Sequence, residues 1–102
     1  MSKNVLRMTM LFDFFGNLLS EKQQEYFDLY HNEDLSLAEI ALKVGISRQG
    51  VLDVIRRAER NLVDIENKTG VIAKWFEARG ELENIEKYGI EIHTVVKDYF
   101  HL

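Results

Sequence analysis

Residues 35–51, LSLAEIALKVGISRQGV, contain the start signals of two helices separated by one glycine. Ser36 is an N-cap residue, and Glu39 follows three positions later, which is the spacing of a capping box. Gly45 stands where the first helix should end in a left-handed residue, a conformation that glycine adopts without steric cost. Ser47 is then placed to cap the next helix. The segment therefore predicts a short helix, a tight turn and a second helix.

The apolar residues of these two helices fall on one face of each, with Ala41 small enough for a close crossing. They are Leu37, Ile40, Ala41 and Val44 in the first helix and Val51, Ile55, Ala58 and Leu62 in the second. Two helices with matching inner faces around a glycine turn predict a helix-turn-helix. An ordinary helix pair in an α-helical bundle is the alternative, because the pattern specifies packing before it specifies a ligand.

Composition predicts a small all-α protein. The chain has 102 residues, no Pro and no Cys, and strand-like alternation of apolar and polar residues is nearly absent. This length suits one modest domain, and the lack of cysteine excludes disulfides and thiolate metal sites. No apolar run reaches the roughly 18 residues of a membrane span, and we expect no signal peptide ahead of the first helix. A soluble cytoplasmic protein is therefore expected.

The net charge of -4 counts against nucleic-acid binding, but the charge is unevenly distributed. Residues 1–35 hold three basic and six acidic side chains, and residues 62–102 hold five basic and eight acidic ones. Residues 36–61 hold five basic and three acidic side chains, so only this segment is positive. The distribution predicts a focused basic patch on an acidic body.

Helices are also predicted ahead of the motif. The first runs from about Asn4 to Leu19, and a second begins at Ser20, whose capping box is completed by Gln23. The exit loop of the second is 31–34, where His31 would be a favourable charge at a helix end. The first helix is apolar on two sides, which predicts two packing partners, the second being another helix of the chain or a second subunit. Its two apolar lines are Val5, Met8, Leu11, Phe12, Phe15, Leu18 and Leu19, and Leu6, Met10 and Phe14.

Thr69-Gly70 predicts a break between a helix-turn-helix domain, residues 1–68, and a C-terminal helical segment, residues 69–102. Apolar residues in the second segment alternate by four and three, which is typical of a heptad seam that packs on a partner helix. The seam is Val71, Trp75, Ala78, Leu82, Ile85, Gly89, Ile92, Val96 and Tyr99, with kinks expected at Gly80 and Gly89. We predict a homodimer through Leu6, Met10, Phe14, Trp75, Leu82, Ile85 and Ile92. A monomer with a helical cap is the alternative.

The second helix of the motif is expected to turn Gln49, Asp53, Arg56 and Arg60 outward in one stripe, which Arg48, Leu52 and Arg57 flank. Arg and Gln side chains can bind base edges bidentately, Arg also binds phosphate, and the helix start at Ser47 can seat a phosphate. Asp53 repels phosphate, although it could accept from a cytosine amino group or pair with Arg56 or Arg57. A solvated basic face is the alternative interpretation. The predicted nucleic-acid contacts are Ser47, Arg48, Gln49, Leu52, Asp53, Arg56, Arg57 and Arg60.

No catalytic constellation is found, so we do not expect an enzyme. His31, His93 and His101 are scattered, and no nucleophile–base spacing is present. No cofactor motif occurs, and no second ligand at metal spacing accompanies His31.

The segments 19–23, 36–41 and 46–49 resemble region four of bacterial sigma factors, whose helix-turn-helix binds a promoter element in the major groove. A closer similarity is to the YlxM family of small DNA-binding proteins. It is carried by Arg7-Met8, Leu11-Phe12-Asp13-Phe14, Ser47-Arg48-Gln49 and Ile55-Arg56-Arg57, and it covers about residues 4–88.

The resemblance implies a regulator that contacts nucleic acid through Ser47, Arg48 and Gln49, and an association with the signal recognition particle pathway. Gly50 and Leu52 depart from the family pattern, which has Ala and commonly an aromatic residue there. Three functions therefore remain in view. They are a DNA-binding regulator, an RNA-binding accessory factor of the signal recognition particle, and a protein-interaction module without nucleic-acid binding.

Overall fold

The computed structural model describes residues 3–79, and this part of the chain is helical with short connections. Its five α-helices are α1, Lys3–Phe15; α2, Glu21–Phe27; α3, Leu37–Val44; α4, Arg48–Thr69; and α5, Val71–Arg79. A 3₁₀ turn, Gly16–Leu18, follows α1, and a π-helical turn, Asp28–Asn32, extends α2. The predicted all-α fold is confirmed.

Both predicted capping boxes are present. The Ser20 hydroxyl accepts the Gln23 N–H at 3.2 Å, and the Gln23 side-chain oxygen accepts the Ser20 N–H at 3.2 Å. At the start of α3 the Ser36 hydroxyl accepts the Glu39 N–H at 3.1 Å, and the Glu39 carboxylate accepts the Ser36 N–H at 3.0 Å. Each box satisfies amides that lack an intrahelical acceptor, which explains where α2 and α3 begin.

The turn between α3 and α4 has the predicted left-handed glycine. Gly45 has φ 76° and ψ 30°, and its N–H donates to the Ala41 carbonyl at 2.9 Å. Ser47 caps α4 by accepting the Gly50 N–H on its hydroxyl at 3.0 Å. These contacts confirm the helix, turn and helix that the sequence predicts over residues 36–62.

Two clusters of buried side chains make the core, and α4 contributes to both. The first holds the helix-turn-helix together and consists of Tyr26, Leu29, Ile40, Val51 and Ile55. The second joins α1 to the later turns of α4 and consists of Met8, Leu11, Phe15, Leu19, Phe27, Ala58, Leu62 and Ile72. The four α4 residues predicted to face inward, Val51, Ile55, Ala58 and Leu62, are all buried.

The predicted end of the first helix was wrong. α1 ends at Phe15 rather than near Leu19, and a 3₁₀ turn with about three residues per turn follows. The change in twist removes Leu18 from the apolar face, and its side chain is 70% exposed, whereas Leu19 is buried. The boundary after α2 also differs, because His31 lies in the π-helical turn and not in a loop.

The break at Gly70 is confirmed, but α5 packs through a different face from the predicted seam. Gly70 has φ 63°, and α5 begins at the next residue. Ile72 is only 1% exposed and Phe76 packs against the second cluster, while Val71 and Trp75 are 43% and 40% exposed. α5 therefore contacts the core through Ile72 and Phe76, which each lie one residue after a position of the predicted seam.

The second apolar side of α1 is partly covered by the chain itself. Leu6, Met10 and Phe14 pack against the second cluster, and the Phe14 ring meets Trp75 edge-on at 5.4 Å between centroids. Leu82, Ile85, Ile92 and the kinks expected at Gly80 and Gly89 lie outside the described residues. The homodimer and the division of the chain at 68/69 stay predictions. None of the helices within residues 3–79 is both long enough and apolar enough to cross a bilayer.

Candidate nucleic-acid interface

The candidate site is carried by α4, the second helix of the helix-turn-helix. Because Val51, Ile55, Ala58 and Leu62 are buried, the opposite side of α4 faces outward. We define the outer face of α4 as five exposed residues, Gln49, Asp53, Arg56, Arg57 and Arg60. Four of them are the residues of the predicted outward stripe, and Arg57 was predicted to flank it.

Three further predicted contacts flank this face. Ser47 and Arg48 are exposed at the start of α4, and Leu52 is half-buried beside Val51. The structure therefore brings all eight predicted residues onto one helix and its cap. Leu52 is the least accessible of them, because it lies closer to the buried side.

The length of α4 separates these residues into two groups. The helix has 22 residues and is therefore about 33 Å long. Arg56 and Arg60 lie about 12 and 18 Å along the axis from Arg48. A DNA major groove is only about 12 Å wide, so the first turns of a helix can contact base edges and later turns are better placed for the backbone.

The first turn of α4 presents two amides at its open end. The Ser47 hydroxyl accepts a hydrogen bond from the Gly50 N–H. Within residues 3–79 no acceptor pairs with the backbone N–H groups of Arg48 and Gln49. The positive end of the helix dipole adds to the field at this point. At the predicted phosphate site the N–H groups of Arg48 and Gln49 are therefore the ones left for an anion.

Gly50 lies where the space beside the cap of α4 is tight. A Cβ at this position would lie 3.2 Å from the Ser47 hydroxyl oxygen and 3.2 Å from Cδ1 of Ile46. Those distances are tighter than ordinary van der Waals contact. Glycine therefore leaves room for the cap and for the side chain that precedes it.

Asp53 has a partner other than the predicted arginines. The Gln49 side-chain amide donates to the Asp53 carboxylate at 2.9 Å, one helical turn apart. Asp53 forms no ion pair with Arg56 or Arg57 within residues 3–79, so that expectation was wrong. Arg56 and Arg57 follow Asp53 by three and four residues. The carboxylate accepts instead from the side chain of Gln49, four residues before it.

Glu59, a second acidic residue of α4, is turned away from the outer face. His31 and Glu59 lie 2.8 Å apart between Nε2 and Oε2, and the His31 side chain is only 7% exposed. The His31 ring also packs against the Phe27 ring, tilted by 32° with 4.3 Å between centroids. The sequence did not indicate this pair, because 28 positions separate the residues and no spacing rule connects them.

Glu66, near the end of α4, is fully buried and caps α5. Its carboxylate accepts the N–H groups of Ile72 and Ala73 at 2.8 and 3.1 Å. The sequence does not indicate this role, because a glutamate four residues before the helix break has the spacing of any other polar residue of α4. The contact fixes how α5 leaves α4.

The arginines of the site are left without acidic partners in the described part of the chain. Arg48, Arg56, Arg57 and Arg60 are all exposed, and none forms an ion pair there. An unpaired guanidinium offers several N–H donors to an anion without first breaking an internal contact. No group of three His, Cys, Asp or Glu residues within 3–79 is arranged to hold a metal ion.

Comparison with known proteins identifies the family. A family model described as "Putative helix-turn-helix protein, YlxM / p13 like" matches residues 2–99. A UPF0122 protein of Thermoanaerobacter sp. (strain X514) is 46% identical over 92 residues, which cover 90% of this chain and 78% of the relative. A UPF0122 protein of Halalkalibacterium halodurans is 48% identical over 82 residues, covering 80% of this chain and 74% of the relative. Another, of Streptococcus gordonii, is 46% identical over 83 residues, covering 80% and 76%. The chain belongs to the UPF0122 family of helix-turn-helix proteins, YlxM / p13 like.

Proposed function

We propose that the protein is a DNA-binding regulator that inserts the first turns of α4 into the major groove. The observation that carries the proposal is the set of exposed arginines on α4, which have no ion pairs within residues 3–79. They lie on the second helix of a helix-turn-helix, which is the helix that enters the groove in DNA-binding members of this class. Membership of a helix-turn-helix family supports the same assignment.

We assign two roles to the residues of α4 according to their position along the helix. Arg48 and Gln49 lie in the first turn and are proposed to contact base edges. Arg56, Arg57 and Arg60 lie further along and are proposed to contact phosphates, which position the protein without specifying sequence. The overall charge of -4 should keep non-specific affinity low and strongly dependent on salt.

The proposal extends to partners and cellular role. The resemblance to the YlxM family supports a cytoplasmic protein linked to the signal recognition particle pathway. Homodimer formation is supported by the exposure of Val71 and Trp75, two apolar residues of the predicted seam. A dimer would present two copies of α4 to a two-fold symmetric site.

The experiment is a parallel binding titration of the full chain against promoter-length duplex DNA and signal recognition particle RNA, each at two salt concentrations. We expect preferential binding of duplex DNA. Arg56→Ala or Arg60→Ala should weaken binding evenly across sequences and lower the salt slope by about one unit per lost phosphate contact. Lys74→Ala removes the same charge from α5, away from the outer face of α4, and should leave the slope unchanged.

Two outcomes would overturn the proposal. Tighter binding to the RNA, abolished by the same arginine substitutions, would make the protein an RNA-binding accessory factor. Absence of binding to either nucleic acid at low salt would favour a protein-interaction module. Leu42 supports that second candidate, because it is 87% exposed on α3 beside the turn. Ile46, in the turn itself, is a second apolar residue that is 38% exposed.

A further inference from the structure

The hydrogen bond between Gln49 and Asp53 has a consequence for which base the site selects, given the proposed function. We infer that Asp53 is a positioning residue that holds the Gln49 amide in one orientation, so that Gln49 selects adenine over guanine at its position in the major groove. Both residues are exposed on the outer face of α4, and the amide nitrogen lies 2.9 Å from the carboxylate.

The chemistry of the two groups determines which way the amide points. An ionised carboxylate has no hydrogen to donate, so only the NH₂ end of the Gln49 amide can face it. The side-chain oxygen of Gln49 is then directed away from Asp53. Without Asp53 the amide could turn by half a rotation and present either end to a base.

The held amide matches one base edge better than the others. Its free oxygen can accept from the adenine N6 amino group, while its second N–H donates to adenine N7. Guanine presents only acceptors at N7 and O6, so one of them can accept the second N–H while the other faces the Gln49 oxygen, which then has no donor. Thymine presents an acceptor at O4 with the same disadvantage. Cytosine offers one amino group and can make only one of the two bonds.

Asp53 is the acidic residue of the outer face of α4, which otherwise carries Gln49 and three arginines. It lies four residues after Gln49 and three before Arg56, in the middle of the outer face of α4. There it repels phosphate and lowers overall affinity. Its contribution is therefore expected in the choice of base and not in the strength of binding.

The test begins with selection of a preferred duplex from a random pool by the full chain. Affinities are then measured for duplexes that differ at one base pair at a time. Wild type should show one position where adenine is preferred over guanine by on the order of tenfold. Gln49→Ala should remove that preference while leaving the other positions unchanged.

Asp53 is tested with two variants and one matched control. Asp53→Asn and Asp53→Ala should tighten binding to every duplex, because a negative charge is lost, and should reduce the adenine preference to that of Gln49→Ala. In the double variant with Gln49→Ala, neither Asp53 substitution should reduce the preference further. Asp64→Asn removes the same charge from an exposed position later on α4, so it should tighten binding and leave the adenine preference intact.

Each result bears on the inference. A preference for guanine or thymine at the Gln49-dependent position would overturn it, and so would an adenine preference that survives both Asp53 substitutions. In those cases duplex binding persists, so the proposed function stands while the inference fails. If no duplex binds, both fail together.

Discussion

The Glu39 carboxylate links the start of α3 to pH. Its hydrogen bond with the Ser36 backbone amide holds the pKa of this carboxyl below its usual range, with a smaller contribution from the Ser36 hydroxyl. A carboxyl whose pKa is lower in the folded state stabilises the fold above its unfolded pKa, and this stabilisation is lost as pH falls through the folded pKa. We predict that wild type loses more thermal stability than Glu39→Gln as the pH falls below the ordinary value of 4.5. Thermal unfolding followed by circular dichroism across that range is the measurement.

The capping box of α2 provides the reverse control. Gln23 already serves there as an amide, so Gln23→Glu should introduce a pH dependence in the direction that Glu39→Gln removes. Equal pH profiles for wild type and both variants would show that neither box contributes to acid sensitivity.

Glu66 is predicted to be important for stability, because it is buried and satisfies two amides of α5. Glu66→Ala should lower the free energy of unfolding by about 1–3 kcal/mol for each N–H group left buried without an acceptor. Glu66→Gln should cost less, since one side-chain oxygen remains to accept. Urea unfolding followed by the fluorescence of Trp75, which lies on α5, measures both. A change under about 0.5 kcal/mol for the alanine variant would be that of an ordinary surface position.

At the scale of elements, the turn between α3 and α4 depends on the backbone of one residue. A Cβ built on Gly45 meets nothing within 4 Å, so a side chain there is limited only by its φ of +76°. Gly45→Ala should therefore cost about 1–2 kcal/mol, the penalty of the left-handed conformation. Gly45→Asn should cost less, because asparagine tolerates this conformation. Urea unfolding distinguishes them, and equal costs would mean that crowding and not φ limits the position.

How far the sequence predicts the elements depends on the range of the interaction. The starts of α2, α3 and α4 were predicted because a cap acts over three residues, as between Ser36 and Glu39. The end of α1 was not, although Gly16 stands directly after Phe15, because an apolar pattern that continues to Leu18 and Leu19 outweighs a single glycine. The sequence does not show which side of α5 meets the core, since adjacent apolar pairs, Val71 and Trp75 or Ile72 and Phe76, have the same spacing.

The candidate site, too, was predicted from the sequence only in part. Helical periodicity predicted that Gln49, Arg56 and Arg60 face outward, because the buried residues of α4 repeat regularly. Periodicity gives only the direction of a side chain and not its hydrogen-bond partner. The pairing of Asp53 with Gln49 rather than an arginine, and that of Glu59 with His31, therefore required the structure.

For the whole molecule, we predict a homodimer at micromolar concentration, measured by light scattering. Val71→Asp places a charge on the proposed seam at a position that is 43% exposed, so it should shift the protein to monomer without unfolding it. Leu42→Asp makes the same change at the more exposed position on α3 and should leave the dimer intact. Monomer alone in wild type would contradict the prediction, as would equal effects of the two substitutions.

α4 runs without interruption from Arg48 to Thr69, so the half that bears Arg48 and Gln49 keeps a fixed rotation about the helix axis relative to the half that packs against α1. Inserting one residue between Ile55 and Ala58 would rotate one half against the other by about 100°. Inserting four would restore most of the phase, to within about 40°, but would displace the two halves by about 6 Å. Changes in chain length during the evolution of this family should therefore be rejected inside α4 and tolerated in the connection before Ser36, where no buried helix face has to keep its register.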